Sequence, residues 1–203
     1  MSGENLEIEV KFLVDDLSAT RDRLLALGAR IHKPRVYERN IRFDSPWDGL
    51  LSQGKLLRLR QDTAARLTYK GEPQTAVESE AMVREELEVQ VGDFQSTQAL
   101  LERVGFEPKQ VYEKYRETFT FGGVEVVLDE MPFGNFVELE GENASIRAAA
   151  AALELDWDLR ILDNYLALMA GLKERFGLDF DDLTFENFAT VEVGAIDLLK
   201  ESH

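Results

Sequence analysis

Three stretches of this chain set ionised side chains at every second position of an otherwise apolar run, and that alternation limits the fold more than any other feature. "ENLEIEVKFLV" places Glu7, Glu9 and Lys11 around Ile8 and Val10, "EELEVQV" carries Glu86 and Glu88, and "FVELEGE" carries Glu138 and Glu140. Side chains at i and i+2 share one face of a strand, so each stretch is a strand with an ionic side and an apolar side. Two carboxylates about 7 Å apart repel by roughly 2 kcal/mol at an effective dielectric near 20. The ionic faces therefore need cations opposite them.

Those cations stand on other alternating runs. Arg58 and Arg60 share a face in "LLRLRQ", Thr68 and Lys70 in "RLTYKGE", Lys114 and Arg116 in "YEKYRETF", and Arg84 precedes Glu86 and Glu88 in "VREELEVQV". Asp129 ends one further run, "VEVVLDEM". For one strand alone, charges facing water would be the ordinary explanation. Across the set they are sorted by sign, strand by strand, with little Ser, Thr or Gln between them. This predicts an enclosed, ion-lined interior.

Apolar and polar alternation predicts eight strands, at about 5–14, 34–44, 55–61, 65–71, 80–92, 109–121, 123–130 and 135–142. "DDLSATRDRLLALGA" and "DFQSTQALLERVGF" have helical spacing behind acidic starting residues and before a glycine. The two halves also echo one another: a Glu-x-Glu strand, an acidic turn, a helix and then a strand opening Val-Tyr-Glu. The expected fold is α+β, a closed eight-stranded antiparallel β-barrel with helices packed outside and a helical C-terminal tail. Residues 1–142 form its core and 143–203 an appendage on the same domain. In that tail Ile161, Leu162, Tyr165, Leu168, Met169 and Leu172 make an apolar stripe that packs on the barrel, caps one end of it, or serves a homodimer contact. Ala148–Ala152 supply helix propensity without chemistry.

With 203 residues, 44% hydrophobic and 31% charged, the chain can bury one sizeable core. It has no cysteine, which excludes disulfides and thiolate metal sites and suits a reducing cytoplasm. No apolar run approaches the length of a membrane span. A net charge of −16 argues against nucleic acid as a partner, because long phosphate backbones are held by broad basic surfaces. There is no G-x-x-x-x-G-K-[ST] loop. His32 reads as surface polar, His203 is terminal, and Tyr112 and Tyr115 read as core or wall residues.

A cavity that combines arginine and lysine donors with paired carboxylates suits a polyphosphate chelated to Mg²⁺ or Mn²⁺. Arginine's fork matches phosphate oxygens, and hard divalent cations take carboxylate oxygens. These residues resemble the CYTH, or triphosphate tunnel metalloenzyme, superfamily. Its Glu-x-Glu-x-Lys opening strand is matched by Glu7-Ile8-Glu9-Val10-Lys11, and "YERNIRFDSP", "LLRLRQ", "LTYKGE", "REELEV", "YEKYRETF" and "LDEMPFGNFVELEGE" follow in order over about residues 5–142. The wording is most similar to the subgroup labelled class IV adenylate cyclase, with Asn40 where some cyclase relatives carry Asp.

The resemblance implies a triphosphate tunnel using Mg²⁺ or Mn²⁺. It gives Glu7, Glu9, Asp129, Glu138 and Glu140 as the metal set. Lys11, Arg58, Arg60, Lys70, Arg84, Lys114 and Arg116 become the phosphate cradle, with Glu86 and Glu88 on the wall between. Catalytic roles fall to Glu9, Lys11 and Glu88, any of which, or Glu7, would supply the base. The reaction is then hydrolysis of an inorganic or organic triphosphate, or cyclisation of ATP to cyclic AMP and pyrophosphate. A polyphosphate- or nucleotide-binding module without turnover is the third reading.

Overall fold

The computed structural model describes residues 6–47, 49–73, 79–191 and 193–194. His203, the tail beyond residue 194 and the expected strand start at residue 5 lie outside them. Eight strands form in the expected places: β1 (Leu6–Val14), β2 (Arg30–Asp44), β3 (Leu56–Gln61), β4 (Ala65–Gly71), β5 (Met82–Val91), β6 (Glu107–Phe121), β7 (Val124–Met131) and β8 (Gly134–Glu140). Among the described residues four α-helices accompany them: α1 (Leu17–Ala26), α2 (Phe94–Arg103), α3 (Asn143–Ala152) and α4 (Tyr165–Phe176). The acidic helix starts act as N-caps. Asp16 accepts from the Ser18 and Ala19 amides, and Asp93 from Ser96.

Every strand pairs antiparallel with two neighbours in the order β1-β5-β4-β3-β2-β6-β7-β8, and β8 returns to β1 through Lys11 opposite Glu138. The sheet is thus a ring without free long edges. Its order carries the internal echo into three dimensions. β1 lies beside β5 and β2 beside β6, while the hairpins β3–β4 and β7–β8 fill the two arcs between them. Exchanging the halves maps the ring onto itself.

The echo breaks within β2, whose pairing with β6 shifts register at three places, one of which sets the facing of the site. Between Lys33 and Val36, which face Thr118 and Arg116, β2 holds one residue more than β6, a bulge at Pro34. Tyr37 therefore stands on the outer face, opposite Tyr115, whereas Tyr112 of the second Val-Tyr-Glu points inward and meets Arg58. The same offset turns Glu38 into the ring.

Outside, the apolar faces are covered as the alternation requires. Val10 is buried and Ile8 partly so, in a cluster with Leu24 of α1, Ile146, Ala149 and Ala150 of α3, and Val126, Val137 and Leu139 of the sheet. Leu101 of α2 covers Ile41, Phe43 and Leu59. Each such buried side chain contributes roughly 1.5–3 kcal/mol. No helix among the described residues is long and apolar enough to cross a membrane.

The chain after α3 binds the ring by backbone as well as by side chain. Ile161 exchanges hydrogen bonds with Lys11 (3.1 and 2.8 Å), on the side of β1 that β5 leaves unpaired. Leu183 bonds to Val111 and Glu113 (2.9 Å each), where β6 runs beyond β7.

Candidate functional site

The inside of the ring changes character along its axis. On β1 the inward positions run Glu7, Glu9, Lys11 and then Leu13; on β8, paired with it, Glu140, Glu138 and then Phe136. On β7 they pass from Glu125 through Asp129 to Met131. At the apolar end, Leu13, Phe136 and Met131 pack with Ile161, Tyr165, Leu168 and Met169 from the tail. The stripe read as a possible end cap does cover one end of the ring, though Leu162 remains 44% exposed.

Above this floor lies an ion-lined cavity of about 280 Å³. All seven cradle candidates line it: Lys11, Arg58, Arg60, Lys70, Arg84, Lys114 and Arg116. So do Glu7, Glu9, Glu88, Glu138 and Glu140. Asp129 stands just behind the wall, fully buried, and accepts four hydrogen bonds, three of them on one oxygen. Lys114 donates to it at 2.8 Å, Arg116 forks onto both oxygens at 2.7 and 2.5 Å, and the Tyr165 hydroxyl donates at 3.0 Å.

Ion pairs hold the remaining charges. Lys11 donates to Glu9 at 2.7 Å and lies 3.4 Å from Glu138. Lys70 bridges Glu7 and Glu86. One terminal nitrogen of Arg60 donates to both Glu88 oxygens, at 3.1 and 2.9 Å, and Glu88 itself is more open to solvent. Burial works against the Lys11 ammonium, yet Glu9 and Glu138 outweigh it and raise its pKa, so Lys11 remains a cation throughout the neutral range. Burial likewise opposes the Glu138 carboxylate, but Arg116, Lys11 and Lys114 hold its pKa well below the usual range.

Glu38, which the alternation argument passed over, belongs to the cavity. It is 1% exposed and lies 3.6 Å from Arg60 and 3.8 Å from Lys114. Burial would raise its pKa, but Lys114, Arg116, Arg60 and Arg58 together bring it down to about 2. The signal was present in "YERNIRF", where Glu38 and Asn40 share a face. Asn40 is also fully buried, donating to Glu38 at 3.2 Å, and stays behind the cavity wall. Lys33, Asp62 and Glu125 are the other ionisable lining residues that sequence patterns did not single out, and Tyr165, read only as part of the apolar stripe, lines it too.

Glu140 departs from this balanced network. Among the described residues it has no ion-pair partner within 4.0 Å, and burial, then Glu7, Glu125 and Glu9, lift its pKa from 4.5 to about 7. An acid whose pKa is raised by folding stabilises the protein fully below 4.5 and loses that stability as pH climbs to about 7. Glu140→Gln is expected to denature at the same temperature as the parent near pH 4.5. Its advantage should grow to on the order of 2 kcal/mol by pH 8 without added metal. Melting curves across that window check this, and an advantage independent of pH would contradict it.

As a donor set for metal, Glu7, Glu9 and Glu140 offer oxygen ligands and an excess of negative charge, which suits a hard divalent cation. Among the described residues no three acidic or histidine side chains stand in a ready coordinating arrangement. Glu7 and Glu9 are each turned to a lysine instead.

The CYTH domain family matches residues 5–163. A Methanocaldococcus jannaschii protein named "putative adenylate cyclase" is 27% identical over 151 residues, covering 73% of this chain and 84% of that one. Among solved structures, a "putative adenylate cyclase" from Vibrio parahaemolyticus superposes with a TM-score of 0.70 at 23% identity, covering 79% of this chain and 95% of the other. A "putative adenylyl cyclase" from Hippeastrum, described as revealing a dominant triphosphatase activity, superposes with a TM-score of 0.52 at 20% identity, covering 94% and 98%.

Proposed function

This chain belongs to the CYTH domain family, and from that premise we propose that it is a metal-dependent phosphohydrolase, its ring serving as a closed tunnel for triphosphate-containing small molecules. The observation that carries the reading is the charge balance of the cavity. Among the described residues eight lysines and arginines face it, against nine aspartates and glutamates. The protein alone supplies donors for phosphate oxygens but no net positive charge. A triphosphate, with several negative charges, becomes electrostatically acceptable there only together with a cation.

Glu7, Glu9 and Glu140 would hold that cation, with Mg²⁺ and Mn²⁺ the fitting choices, and it would supply charge neutralisation and polarisation of a phosphoryl oxygen. The chain's own groups do the rest. Arg58, Arg60, Lys70, Arg84, Lys114 and Arg116 bind and align the phosphates, and Lys11, held protonated, donates to them. A water attacks the terminal phosphorus in line, forming a new P–O bond as the bond to the bridging oxygen breaks and its electron pair leaves with the remaining phosphates. The water's proton passes to a carboxylate, Glu9 or Glu88, since Lys11 is a cation and Glu38 is too weak a base.

Cyclisation of ATP has one observation of its own. Leu56, Met82 and Leu166 are among the residues lining the cavity, apolar groups against which a purine could rest. The ribose 3′-hydroxyl would then attack the α-phosphorus and expel pyrophosphate. Incubation with ATP and with inorganic triphosphate, each with Mg²⁺ or Mn²⁺, separates the readings by phosphorus NMR and nucleotide chromatography. Orthophosphate released fastest from inorganic triphosphate is the expected result. Cyclic AMP with pyrophosphate would replace hydrolysis by cyclisation, and no turnover of either, with binding retained, would make the chain a binding module.

A further inference from the structure

Two phosphate-binding candidates, Lys11 and Lys114, are both almost fully buried and both next to carboxylates that compete for them. Each is paired with one, Lys11 with Glu9 at 2.7 Å and Lys114 with Asp129 at 2.8 Å, contacts that draw both nitrogens toward the walls. A second attraction reaches both from one aromatic ring. The Tyr165 centroid lies 5.5 Å from the Lys11 nitrogen and 5.4 Å from the Lys114 nitrogen, so one ring attracts both ammonium groups.

The ring itself is fixed from both sides. Below, it packs edge-on against Phe136 and Phe133, with centroids 5.2 and 6.2 Å away. Above, its hydroxyl donates to the Asp129 oxygen that also receives Lys114 and Arg116. Burial, with Asp129 and Glu138 nearby, raises the phenol's pKa well above its ordinary value. Tyr165 opens α4, capped by Asn164, whose side chain accepts from Leu166 and Ala167. It lies two residues beyond the family match.

We propose that Tyr165 is a positioning residue of the triphosphate cradle, its ring holding the Lys11 and Lys114 ammonium groups toward the cavity and its hydroxyl locking that ring onto Asp129. What the lysines bind rests on the proposed function; that the ring holds them does not. The chain past the family match thereby completes the site as well as covering the end of the ring.

Two measurements test this separately. In ligand-free protein, the lysine ε-methylene proton resonances of Lys11 and Lys114 should lie upfield through the ring current. They should stay so in Tyr165→Phe and return toward ordinary positions in Tyr165→Leu. Ordinary positions in the parent protein, or no movement in Tyr165→Leu, overturn the proposal. By calorimetry with inorganic triphosphate and Mg²⁺, Tyr165→Leu should weaken binding about tenfold or more, and Tyr165→Phe, which restores the ring, no more than about threefold. Leu168→Ala, in the same apolar cluster but away from the cavity, should leave affinity within about twofold despite lower stability. If Leu168→Ala weakens binding as much as Tyr165→Leu, the role is packing and the proposal fails. If the parent protein binds no triphosphate, the proposed function fails instead, and the resonances alone decide the role of Tyr165.

Discussion

Asp129→Asn is expected to destabilise the fold by about 3–5 kcal/mol, which for a chain of this length lowers the melting temperature by roughly 10 °C. Asp129 is 0% exposed and meets Lys114 and both ends of the Arg116 fork. Replacing the carboxylate by an amide keeps the volume but removes the charge that two buried cations share. Their desolvation then stands uncompensated, which is the costly case for a buried ion pair. An amide also turns an NH₂ group toward donors where an acceptor oxygen stood. Glu38 and Glu138 offset part of this, since Lys114 and Arg116 each retain one of them. Urea denaturation measures the loss directly. A change below about 1 kcal/mol would mean that Asp129 contributes little to holding these cations.

That placement also says what the sequence could and could not reveal. Strand alternation is a local consequence of backbone geometry, so Glu7, Glu9, Arg58, Arg60, Lys114 and Glu138 could be assigned to one interior from their spacing alone. The echo of the two halves reappears in the ring order, but the order itself comes from the strand pairing. Spacing does not reveal how deep a residue lies along the axis, because that depends on stagger between strands. Asp129, with the same parity as Glu138, falls behind the cavity wall where its neighbours fill it. Pro34 marks a bulge only once the partner strand is known, so the facing of Glu38 is legible from Asn40 in its own strand but not from Lys33 across the bulge. The tail was the least legible. An apolar stripe at helical spacing shows that Tyr165 and Leu168 are buried, and nothing in it distinguishes the ring that only packs from the one that also faces two ammonium groups.

The largest effect on activity is expected from Glu9→Gln. Glu9 is 7% exposed, lies opposite Glu140 across the β1–β8 pairing and receives Lys11 at 2.7 Å. Glutamine can still accept from Lys11, and Lys11 keeps Glu138 at 3.4 Å, so the fold should survive with a loss of about 1–3 kcal/mol, less than at Asp129, where two cations share the carboxylate. The chemistry should not survive it. On the proposed function, Glu7, glutamine and Glu140 would offer a divalent cation one charged oxygen ligand fewer, and charge stabilisation in such a site counts most in the transition state. Triphosphate turnover should fall by roughly 10²–10³-fold and the metal concentration for half-maximal rate should rise. The two roles open to Glu9 then separate by titration: if it holds the cation, excess Mn²⁺ recovers part of the lost rate, and if it is the base, saturating metal recovers none. A Glu9→Gln enzyme with the parent's rate and metal dependence would remove Glu9 from the site and, with it, the reason for placing a cation between β1 and β8.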